Sequence, residues 1–107
     1  MSKSEIFKKA WRLAAMIAAV TKQAKCTHFR TALKAVYKSM KNNIGWFGFY
    51  EVCERSARKT AKHAKYRLSD YLSTQEKCFF ENEYNNSVQD AFVFNYLRNG
   101  KVMEAVQ

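Results

Sequence analysis

A chain of 107 residues with no proline, three glycines and 48% hydrophobic residues has enough apolar material for one core. It has too few breakers for a strand-and-turn fold. Its net charge is +10, and residues 1–67 alone carry 16 Lys/Arg against Glu5, Glu51 and Glu54, while residues 68–107 are mildly acidic. So lopsided a balance exceeds what solubility needs. It points to a polyanionic partner for the first two-thirds: nucleic acid, an acidic protein surface or anionic lipid.

Taken in chain order, Ser2 and Glu5 read as a capping box. They open a helix to about Gln23, with Phe7, Ala10, Trp11, Ala14, Ile17, Ala18 and Thr21 as its core stripe. Leu13, Met16 and Val20 widen that stripe, so a second neighbour is expected. Lys8, Lys9 and Arg12 sit near the helix start, where the dipole disfavours cations. Thr27 reads as the N-cap of a second helix, His28 to Asn42. Phe29, Ala32, Leu33, Val36, Tyr37 and Met40 recur at steps of three and four, so this set is expected to be buried. Arg30, Lys34, Lys38 and Lys41 fall on the opposite side.

The segments from Ser4 to Ala14 (Ser-Glu-Ile-Phe-Lys-Lys-Ala-Trp-Arg-Leu-Ala) and from Phe29 to Tyr37 (Phe-Arg-Thr-Ala-Leu-Lys-Ala-Val-Tyr) resemble a helical pair. That pair is seen in small proteins of phages, prophages and plasmids, among them inhibitors of host defence such as anti-CRISPRs. The likeness spans about a third of the chain. It rests on helix-packing residues, so it implies a fold and a setting in a bacterial host cell but no catalytic set.

Asn42 and Asn43 read as a stop. Phe47 to Val52 (Phe-Gly-Phe-Tyr-Glu-Val) has the look of an aromatic strand from an RNA-recognition domain. No second aromatic strand accompanies it, so a turn whose Trp46, Phe47 and Phe49 plug the core is the preferred reading. Tyr50 to Leu72 then has a helical period, with Tyr50, Cys53, Ala57, Ala61, Ala64, Leu68 and Tyr71 on one face. Its other faces carry Arg55, Arg58, Lys59, Lys62, Lys65 and Arg67, with no acid among them. Ser73 and Glu76 form a second capping-box candidate, opening a short helix to about Tyr84. Asn85 and Asn86 read as a break. Ser87 and Asp90 then cap a last helix to about Asn99, packed by Val88, Ala91, Phe92, Phe94 and Leu97 and closed by Gly100.

Chemistry is poorly supplied. Cys26, Cys53 and Cys78 are odd in number and far apart, unlike the close pairs of zinc sites, so neither a metal nor a cofactor is expected. They read as free thiols of a reducing cytoplasm. The apolar run Leu13 to Val20 is too short to span a bilayer. Cys26 and His28 are the only near nucleophile–base pair, and no Gly-rich phosphate loop or Ser-centred elbow exists. The acids Glu81 and Glu83 are two apart on a helix and diverge, which disfavours a two-metal nuclease.

The expectation is one all-α domain over residues 1–107, with four or five helices around an aromatic-rich core. It is expected to be a non-enzymatic binding protein that engages nucleic acid or a nucleoprotein complex through Arg30, Lys34, Lys38, Lys41, Arg55, Arg58, Lys59, Lys62, Lys65 and Arg67. The resemblance implies inhibition of a host defence machine. A DNA-binding regulator or packaging accessory is the alternative. A membrane binder is disfavoured because the apolar faces look needed for the core.

Overall fold

The computed structural model describes residues 2–41 and 47–102, which form four α-helices: α1 (Lys3–Thr21), α2 (Lys25–Met40), α3 (Phe47–Leu68) and α4 (Thr74–Asn99). Local signals set several ends. The Ser2 side chain accepts from the Glu5 N–H at 3.3 Å, and Ser73 and Glu76 complete a reciprocal capping box. Gly100 closes α4 in the left-handed region, φ 73°, with its N–H on the Tyr96 carbonyl at 2.7 Å. The same αL geometry at the end of α1 falls to Lys22, φ 60°.

Among the described residues α1 packs on α2 and α3 on α4, while α4 touches all three others. The molecule is thus two helix pairs joined through one long helix, with extents of 48 × 29 × 22 Å. Alanine dominates the contacts. Ala10, Ala14, Ala32, Ala35 and Ala64 are at most 3% exposed, and such small side chains let helix axes approach closely. Ile6, Leu13, Ile17, Val36, Val88, Phe92 and Tyr96 fill the remaining space, and Val102 folds back onto them.

Several expectations are corrected here. The described residues form four helices, because α4 runs unbroken through Asn85 and Asn86. α2 begins at Lys25 with an uncapped Ala24 before it, two residues ahead of Thr27. α3 starts at Phe47 and stops at Leu68, so Phe47 to Val52 lie in a helix and form neither the expected turn nor a strand. Phe49 is 53% exposed, so it does not plug the core. Asn42, Asn43 and Trp46 lie outside the described residues.

The aromatic-rich core is not found. Among the described residues, Tyr50, Phe92 and Tyr96 are the buried aromatics. Phe7, Trp11, Tyr37 and Met40 are 41–46% exposed, Phe29 and Leu33 only half-buried, and Tyr71 fully exposed. The reason is geometric. The close α1–α2 contact is made by Ile6, Leu13 and the alanines, and rings one step round each helix are pushed to the rim of the seam.

Candidate polyanion-binding surface

α3 presents its cations in two ways. Arg55, Lys59 and Lys62 recur at steps of four and three on the outer face, with Tyr66 four residues further on, 70% exposed. Arg58 and Lys65 stand on its shoulder. Lys59, Lys62 and Lys65 are exposed and have no acid within ion-pair distance among the described residues. Arg55 reaches Glu51 at 3.3 Å, but both side chains are more than half in water, so that pair is weak.

Arg58 is differently placed. Its guanidinium binds Glu54 Oε2 at 2.7 and 2.9 Å. Glu54 is only 4% exposed, and Arg98 of α4 grips its other oxygen at 2.7 and 3.2 Å while Asn95 donates at 3.1 Å. Burial would raise the Glu54 carboxyl, but the hydrogen bonds from Arg98, Asn95 and Arg58 outweigh it and hold the group below its ordinary range. The same contact with Glu54 raises Arg98. This cluster pins α3 to α4 and fixes which face of α3 points outward. The sequence did carry a signal for it. Glu54 lies four after Tyr50, three before Ala57 and seven before Ala61, so it is a charge inside the apolar stripe.

Arg67 also has partners, Asp70 at 3.3 Å and the Phe80 ring at 5.3 Å. Lys65 borders an open cleft of about 540 Å³ with Lys22, Leu68, Glu81 and Tyr84. On α2, Arg30, Lys34 and Lys38 are exposed, as is Lys41 at its C-cap. Lys38 turns its ammonium over the Tyr50 ring at 5.7 Å, where the end of α2 meets the start of α3. The α2 and α3 cations therefore belong to different helix pairs, because α2 and α3 do not pack along their lengths.

The candidate Cys26–His28 pair does not form. Cys26 is exposed, whereas His28 is 3% exposed and hydrogen-bonded through its two ring nitrogens to Thr21 at 3.2 Å and Gln89 at 2.8 Å. It ties α1, α2 and α4 together. Among the described residues no group of three His, Cys, Asp or Glu stands close enough to hold a metal ion. No described helix is long and apolar enough to cross a membrane. Compared with known proteins, the chain matches no family model, no curated protein and no solved structure.

Proposed function

We propose that this chain is a non-catalytic binding protein that docks on a nucleic acid or nucleoprotein complex through its basic helical faces. The observation that carries the reading is the outer face of α3, where Lys59 and Lys62 lie in water with no acid beside them. The Glu54 cluster holds that face outward, so the cations are preorganised for phosphates spaced along a backbone. Arg30, Lys34 and Lys41 extend the basic field on the other helix pair, and Lys38 stands between them. The resemblance of residues 4–14 and 29–37 to small phage, prophage and plasmid proteins supports a host defence complex as the target. A DNA-binding regulator of a mobile element is the competing assignment.

Replacing Lys59, Lys62 and Lys65 together by Ala tests the reading without touching Arg58, which supports the fold. Each neutralised phosphate contributes about −0.9 to the slope of log affinity against log salt on duplex DNA. The triple variant should weaken binding and flatten that slope by roughly two to three units. A folded variant that binds with unchanged affinity and slope would eliminate this face. A regulator should bind free DNA with sequence preference. A defence inhibitor should bind the assembled complex, with charge removal slowing association.

A further inference from the structure

The α1–α2 pair leaves Phe7 and Trp11 largely on its surface, beside Phe29, whose ring packs against the edge of the core. Trp11 and Phe29 are stacked, centroids 4.0 Å apart at 21°, and Phe7 meets Phe29 edge-on at 6.2 Å. Phe7 is 44% and Trp11 43% exposed. One face of the indole is taken by Phe29, so its exposed area lies on the other face and rim. Exposed cations border the cluster along both helices. Lys8 follows Phe7 and is one turn from Trp11, Lys25 is one turn before Phe29, and Arg30 follows it, with Lys34 one turn on.

Resting on the reading of a nucleic-acid-binding surface, we propose that the Trp11–Phe29 stack is a platform for an unpaired base, so that the ligand is single-stranded nucleic acid. A base laid on the open indole face extends a stack already two rings deep, while the neighbouring phosphates meet Lys8, Lys25 and Arg30. Duplex DNA fits poorly, because its base faces are covered by their own neighbours. Charge works against a symmetric pairing of this face with that of a second copy of this chain. Residues 2–41 hold ten Lys/Arg and a single acid, Glu5, and an isologous contact would bring like charges together.

The test uses Trp46→Phe as the parent, which leaves Trp11 as the sole tryptophan. Short oligo(dT), a duplex of matched length and phosphatidylglycerol vesicles are titrated separately, and emission is read alongside affinity by anisotropy. Oligo(dT) should quench Trp11. In the otherwise native chain, Trp11→Leu should weaken oligo(dT) binding about 5- to 150-fold and leave duplex binding unchanged, while Trp11→Phe should retain most of the affinity. Oligo(dT) binding with unaltered Trp11 emission and no loss in Trp11→Leu overturns the platform but leaves the polyanion reading standing. If neither oligo(dT) nor the duplex binds, the platform falls together with free nucleic acid as the ligand of the basic faces. A blue shift on vesicles without quenching by oligo(dT) reassigns the rings to a lipid surface and also overturns the proposal.

Discussion

A carboxylate that is 4% exposed has to be neutral or well partnered, and Glu54 is held by Arg58, Asn95 and Arg98. Glu54→Gln keeps the shape but leaves two guanidinium groups without their counter-charge. It should cost about 1–3 kcal/mol, below the cost of breaking a fully enclosed pair, since both arginines remain partly in water. The pH dependence follows from its sign. The folded-state pKa lies below the ordinary 4.5, so this stabilisation is complete above the unfolded value and is lost as pH falls through the folded one. Urea midpoints of the parent should therefore drop on acidification, and Glu54→Gln should drop less. Parallel curves would show that the Glu54 carboxyl titrates alike in the folded and unfolded chain. Burial also ranks two leucines. Leu13 is fully buried and its change to Ala should cost about 2–5 kcal/mol. Leu33 is half-buried, so its change should cost less than about 2 kcal/mol. Midpoints in the reverse order would mean that the Leu33 flank is covered in solution.

α4 decides the architecture, and its continuity can be checked at Asn86. That residue is exposed in the middle of the helix, so Asn86→Ala should raise stability by about 0.5 kcal/mol and Asn86→Pro should cost about 3 kcal/mol or more. A loop there would tolerate proline, which thermal melts would reveal. The sequence shows the Ser2 cap, the Ser73–Glu76 capping box and Gly100 because those signals are local pairings of a few residues. It hides the middle of α4 because this helix is packed on several sides. Ser87, Val88, Ala91, Phe92, Asn95, Tyr96 and Leu97 are all buried, so no single stripe continues across the two asparagines. Their poor propensity is outweighed by packing against α1, α2 and α3. The start of α2 was not legible, as Ala24 offers no cap. The basic side of α3 was legible, since its stripe of Tyr50, Ala61 and Ala64 is buried. The commitment of Arg58 was not, because its partner Glu54 is buried and held by Arg98 and Asn95 only where α3 meets α4. The exposed rings of α1 and α2 have the same origin. Periodicity names a face, but alanine took the centre of that face and left Phe7, Trp11 and Tyr37 at its edge. With those rings in water, the need to bury apolar faces no longer argues against a lipid surface, which is why vesicles belong in the test of Trp11.

Across the whole molecule, charge works against the fold. A net +10 repels itself, and on α3 the pairs Arg55–Lys59 and Arg58–Lys62 are like charges one turn apart. A helix needing only solubility would alternate signs on that face. Lys62→Glu separates the two explanations. The introduced carboxylate stands four residues after Arg58, three after Lys59 and three before Lys65, so it converts several repulsions into attractions. At about 0.2–0.5 kcal/mol per pair the gain should be roughly 0.5–1 kcal/mol, and the melting temperature should rise by about 2–6 °C at low salt. The rise should shrink in high salt, because these groups are exposed and screened. Binding to a polyanion should weaken in the same variant. Higher stability with lost binding would mean that the cations are kept at the expense of the fold for the sake of a ligand. A lower melting temperature would give Lys62 a structural role. Higher stability with full binding would move the ligand off the outer face of α3 and leave the α1–α2 pair as its site.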